Sequence, residues 1–251
     1  SPLNRHHPRF EMVISPCGGE GMYLHRNFSS SGLVRLLGRW VPVDAQASGP
    51  DVAERLGQWL SVADVITLHG AHQSIKSMGT PSPPGARPEG AFDAAAELLR
   101  VRASLEEAIV ARDAAAAPEP GTGYAPYHRR YLEQQRRMAT SIDALRDRVR
   151  QTLAGVSPRL AQLAELDAVL ERMLGRREQQ LLATVPLCLK ERFEQLHRQR
   201  PGDAHAMPAP GAWPDSFVRE FQATLLAELE VRLQPVSGMI DALRIEAKQH
   251  Q

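Results

Sequence analysis

The chain has 251 residues, with 30 Lys+Arg against 29 Asp+Glu, a formal net charge of +1. That balance gives no global basis for binding nucleic acid or an anionic membrane surface, and no apolar run approaches the length needed to cross a bilayer. Aromatic residues are only 5% of the chain while Ala, Leu, Arg and Glu abound, so the expected fold class is all-α.

Residues 1–27 are rich in Pro, Gly and His and hold no period, which predicts a disordered N-terminal extension. Leu3 to Tyr23 is too polar for a signal peptide, and Met22 is a sensible native start. Residues 28–79 read as an N-terminal helical segment. Ser29 to Trp40 is predicted as a short helix with Leu33, Leu36 and Leu37 inward, followed by a loop from Val41 to Pro50. Asp51 and Glu54 resemble a capping box, opening a helix whose buried face is Val52, Leu56, Trp59, Leu60, Ala63 and Ile66. Its pattern fades between His69 and Met78. Residues 80–90 (TPSPPGARPEG) are a Pro/Gly-rich linker.

Residues 91–199 form the predicted hairpin region. A helix from Phe92 to Ala116 carries Leu98, Val101, Leu105 and Ile109 on one side, and a breaker from Pro118 to Pro126 ends it. Tyr127, Tyr131, Met138, Ile142, Leu145, Val149 and Leu153 then recur at helical spacing. Between Tyr131 and Met138 only Gln134 or Gln135 continues the stripe, a polar gap in a regular seam. Gly155 is a natural stop, Ser157 a good N-cap, and Pro158 suits a first turn. The second arm carries Leu160, Leu163, Leu166, Leu170, Met173, Leu174, Leu181 and Val185. So short a join predicts a long antiparallel helical hairpin, each arm about 40 Å long. Pro186 should kink or end the second arm. An intramolecular core is not expected to absorb the whole length, which predicts a homo-oligomer joined through a coiled-coil-like seam. Residues 200–214 are a linker, and 215–251 hold the C-terminal helices, interrupted at Pro235, with Val236 to Lys248 as a short final helix.

Candidate chemistry is sparse. Cys17 and Cys188 have no motif spacing, which fits a reducing, cytoplasmic setting. His69 and His72 could share a helix face near Asp64, yet no third metal ligand is visible, so they read as exposed histidines. His6 and His7 lie in the extension. Cys188 has apolar neighbours in Val185, Leu187 and Leu189, and pairing with His128 or His197 lacks an oxyanion scaffold. CGGEG at 17–21 and GTG at 121–123 lack the strand and lysine of a phosphate loop. No enzyme, metal or cofactor is expected.

The stronger signal is Arg129, Arg130, Arg136, Arg137, Arg146, Arg148 and Arg150, close to Tyr124, Tyr127 and Tyr131. Such a face can grip phosphates and stack bases, giving the alternative reading of a nucleic-acid-binding regulator. Against it, Glu165, Asp167 and Glu171 on the facing arm should neutralise the Arg146 to Arg150 end, and tyrosines at helical spacing are ordinarily core. Trp213, between Pro210 and Pro214, is an anchor for the linker or an exposed contact. The candidate interaction surface is therefore Arg129, Arg130, Arg136, Arg137, Tyr127, Tyr131 and Trp213.

Four stretches, in order, resemble a bacterial family of uncharacterised proteins, domain-of-unknown-function family 3348. They are FSSSGLVRLLGRW (28–40), ERLGQWLSVADVITL (54–68), YHRRYLEQQRRM (127–138) and LDAVLERMLGRREQQLLATVPLCLKERFEQL (166–196). The resemblance brings no assigned activity, cofactor or catalytic residue. The family's genes sit beside genes for envelope proton-channel motor-like and outer-membrane-protein-A-like proteins, so the resemblance implies a soluble member of a larger assembly, in association with envelope motor-like proteins. The expected function is a non-enzymatic helical interaction or scaffold protein with a protein partner.

Overall fold

The computed structural model describes residues 31–40, 61–77, 92–111, 123–199 and 212–249, with side chains of the last segment from Ser216 onward. The fold is all-α, with no strand among the described residues. Those residues form seven helices: α1 (Gly32–Leu37), α2 (Val62–Ser77), α3 (Ala94–Val110), α4 (Ala125–Val156), α5 (Pro158–Leu182), α6 (Val185–Arg198) and α7 (Ala212–Gln249).

The hairpin forms as its turn residues dictate. Ser157 is extended (φ −153°, ψ 156°) and its hydroxyl accepts the Leu160 amide, while Pro158 occupies the first turn of α5. Gly155 does not act as the stop: α4 runs on to Val156, and the extended Ser157 makes the turn without a left-handed glycine. Pro186 marks the end of the second arm. After Leu182 the chain turns through Ala183 and Thr184, and Pro186 falls in the first turn of α6, where its missing N–H costs nothing.

Helix α7 spans 38 residues, about 57 Å at the usual rise, and passes through Pro235 without a break. The predicted interruption and separate final helix are thus one element. Packing on both sides of Pro235 explains the continuity, since Leu233 and Val236 are buried to 2% and 0% exposure. Phe217, Phe221, Leu225 and Leu229 form its inner stripe.

That stripe settles against α4. Tyr127 meets Phe217 edge-on at 5.0 Å, Tyr131 meets Phe221 at 5.6 Å, and further along Gln135 bonds Glu228, so α4 and α7 run parallel. Helix α3 runs antiparallel to both: Arg148 lies over the Phe92 ring at 4.2 Å, Arg130 reaches the Ile109 carbonyl, and Arg102 pairs with Glu230. The α4 seam residues Tyr131, Met138, Ile142, Leu145, Val149 and Leu153 are all buried within one chain. The terminal helix thus covers the α4 half of the seam, whereas Leu170 and Leu181 of the predicted α5 stripe are exposed by 38% and 53%.

Smaller expectations also move. Helix α3 ends at Val110 with Ala111 as its cap, ahead of the predicted Ala116; residues 112–116 lie outside the described part. Asp93 caps its start, accepting the Ala95 and Ala96 amides. Helix α2 is opened by Ser61 and Asp64, whose side chains each accept the other's backbone amide as a capping box. The Asp51 cap and the Val52 to Leu60 face fall outside the described residues. Ala63 and Ile66, predicted to be inward, are exposed, Ile66 by 67%; Ala71 is the buried position.

Candidate functional surface and buried polar centre

The polar gap in the α4 seam is where the structure places an acid. Glu228 of α7, wholly buried, accepts hydrogen bonds from the Tyr131 hydroxyl at 2.7 Å and from Gln135 Nε2 at 3.0 Å. Arg232, one turn on, donates through Nε at 2.8 Å. Gln135 also donates to the Leu182 carbonyl at 3.1 Å, satisfying an acceptor at the end of α5. Burial first, then the adjacent Glu228 carboxylate, hold the Tyr131 hydroxyl protonated far above its ordinary range. The network joins α4, the end of α5 and α7 at one point. Gln134, 8% exposed, has a side-chain carbonyl with no donor among the described residues.

Tyr131 is thus core, not an interaction surface, and Tyr127 is half-buried against Phe193, Phe217 and Phe221. Both depart from the candidate surface because their rings complete the aromatic cluster that seats α7. Tyr124 joins them and donates to the Pro186 carbonyl at 2.6 Å, tying the start of α4 to the start of α6.

The arginines divide. Arg146 and Arg150 grip Asp167 (Arg146 Nη2 to Oδ1 at 2.7 Å, Arg150 Nε to Oδ2 at 2.7 Å) and both reach Glu171. Burial pushes the Asp167 carboxyl up, but the hydrogen bonds from Arg146 and Arg150 outweigh it and leave the pKa below the ordinary value. Arg148 pairs with Glu97, and Arg130 donates to the Ala111 carbonyl, so it caps α3 and leaves the candidate surface as a structural residue. Arg129, Arg136 and Arg137 remain exposed and make no ion pair with a described residue. Trp213 lies in the first turn of α7 rather than in a linker, because that helix already begins at Ala212.

His69 and His72 are exposed on α2, and Gln73 approaches His69 at 3.5 Å. Cys188 is a half-buried free thiol, and burial pushes its pKa up, opposite to what a nucleophile needs. His197 stacks on Phe193 and His128 lies against Tyr124. Cys17, His6, His7 and Trp59 fall outside the described residues.

Most other apolar exposure on the described helices is scattered, but α2 gathers it. Val62, Val65 and Ile66 are exposed by 78%, 55% and 67%, and their spacing puts them on one face. The inner side of α2 is held by Ala71 and by Gln162 Nε2 of α5, which donates to the Ile75 carbonyl at 2.9 Å.

The family is then settled by comparison. Residues 22–245 match the family described as "Protein of unknown function (DUF3348)". The chain belongs to the DUF3348 family. The match takes in every described helix up to the last turn of α7, so the Glu228 centre and the α2 face lie within the DUF3348 region. No curated protein and no solved structure matches the chain.

Proposed function

We propose that this DUF3348 protein is a non-enzymatic interaction or scaffold protein, a soluble cytoplasmic component of a larger bacterial assembly. The observation that carries the reading is the α2 face: Val62, Val65 and Ile66 lie open to solvent on a helix held from behind by small and polar contacts. Branched aliphatic side chains grouped on one helix face gain free energy when a partner covers them, about 25 cal/mol per Å² of apolar surface. Partners of the envelope motor-like and outer-membrane-protein-A-like kinds are the first to test. No described helix is long and apolar enough to cross a membrane, so contact with such proteins would be peripheral.

The nucleic-acid reading draws support only from Arg129, Arg136 and Arg137. Arg130, Arg146, Arg148 and Arg150 are engaged inside the chain, and the tyrosines that would stack bases are packed in the core. Purification from the native cell at low and high salt separates the readings. A stoichiometric protein partner that survives high salt supports the scaffold; nucleic acid that leaves with salt, with no protein, overturns it.

A further inference from the structure

Helix α5 packs on two sides. Leu160, Ala164, Asp167 and Leu182 are buried towards α4, where Arg146 and Arg150 hold Asp167. Val169 is buried on the side of Gln162, whose amide bonds the Ile75 carbonyl of α2. The two sides between these differ in chemistry. One carries Glu165, Arg172, Arg176 and Gln179, an ordinary solvated face. The other carries Leu163, Leu170, Leu174 and Leu181. At 3.6 residues per turn these leucines fall within about 40° of one another, a straight stripe about 27 Å long. Leu170 and Leu181 are exposed by 38% and 53%, Leu174 is half-buried, and Leu163 touches the core at one end.

The spacing of the stripe is symmetric. Its gaps are seven, four and seven residues, so it reads the same from either end about position 172. A two-fold contact requires that property, because residue i of one copy meets j of the other while j meets i. With two α5 helices antiparallel, Leu163 faces Leu181 of the second copy and Leu170 faces Leu174, four apolar pairs in all. Arg172, level with the axis, lies on the opposite side of the helix and pairs with Glu165.

Arg177 sets the direction. It lies at the edge of the stripe between Leu174 and Leu181. A parallel pair would oppose the two Arg177 guanidiniums across the seam. In the antiparallel pair, residue 177 is level with residue 167 of the other copy, so the two guanidiniums stand ten residues, about 15 Å, apart along the axis.

We infer that a second copy of this chain covers the stripe, the two α5 helices packing antiparallel about a two-fold axis at position 172. The contact uses a side of α5 that α4 and α2 leave open, so it is independent of the partner proposed for the α2 face.

Size-exclusion with light scattering should give twice the 27.7 kDa chain mass at micromolar concentration. Leu170→Glu/Leu181→Glu, at two exposed positions, should halve that mass with helicity maintained by circular dichroism, whereas Val65→Glu/Ile66→Glu should leave the dimer intact. Cysteine cross-linking in a Cys17→Ser/Cys188→Ser background reads the register. Leu163→Cys/Leu181→Cys should oxidise to a covalent dimer. Leu181→Cys alone should not, because its two copies stand about 27 Å apart along the axis. A monomeric parent overturns the inference. So does a dimer that survives Leu170→Glu/Leu181→Glu, one lost with the α2 variant, or one that Leu181→Cys alone cross-links.

Discussion

The Glu228 carboxylate on α7 lies 2.7 Å from the Tyr131 hydroxyl on α4, with neither residue exposed to solvent. This contact fills the one gap in an otherwise apolar seam, and Gln135 and Arg232 complete it. A buried acid tolerates no shift of α7 along α4, because any other register would leave it without donors. The pair therefore fixes how the last helix seats on the hairpin.

Tyr131→Phe should destabilise the fold by about 1–3 kcal/mol, since it removes a donor from a buried acceptor. Glu228→Gln should cost about 3 kcal/mol by leaving Arg232 poorly paired. In urea denaturation the double variant should cost clearly less than the two singles summed. Simple additivity would separate the two residues and remove the lock.

Gln134 predicts the opposite sign. Its buried carbonyl lacks a donor among the described residues, so Gln134→Leu should raise stability by about 1 kcal/mol, read as a higher denaturation midpoint at unchanged m-value. A lower midpoint would mean that Gln134 has a partner in solution.

The arginine clamp near the hairpin turn makes stability depend on acid. The folded-state pKa of Asp167 is depressed, so its contribution is present above the unfolded value of about 3.9 and is lost as pH falls through the folded value. Asp167→Asn should therefore be less stable than the parent at pH 7, with the difference shrinking below about pH 4. Thermal melts across that window check it; a difference that grows in acid would contradict the assignment.

Gly238 lies inside α7, and a Cβ added there would meet nothing within 4 Å, so Gly238→Ala should stabilise by about 0.5–1 kcal/mol. Differential scanning calorimetry would show an upward shift. A downward shift would place an unrecognised contact on that side of α7.

The hairpin was legible because local chemistry and pattern agree there: a Ser157 cap, Pro158 in the first turn, and apolar residues at a three-four spacing on α4. The pairing of Arg146 and Arg150 with Asp167 and Glu171 also followed from an antiparallel register. Two things were not legible. Proline rules predict a break at Pro235, but burial of Leu233 and Val236 on either side overrides the local cost. The partner of the seam was hidden because α7 is distant in sequence, although the Gln134–Gln135 gap hinted that a polar group would meet it. Glu228 carried a readable sign, an acid between Leu225 and Leu229 on an apolar stripe. In α2 the inward face was misplaced: capping at Ser61 starts the described helix there, and Ala71 rather than Ile66 is the buried position.

The α2 face bears the functional proposal, so the decisive measurement is quantitative copurification of the parent and a Val65→Glu/Ile66→Glu variant from the native cell at high salt. Both side chains are exposed, so circular dichroism and melting temperature should match between the two proteins. A stoichiometric protein partner should accompany the parent and be lost with the variant. A partner retained undiminished by the variant, or no protein partner with either, would contradict the scaffold role.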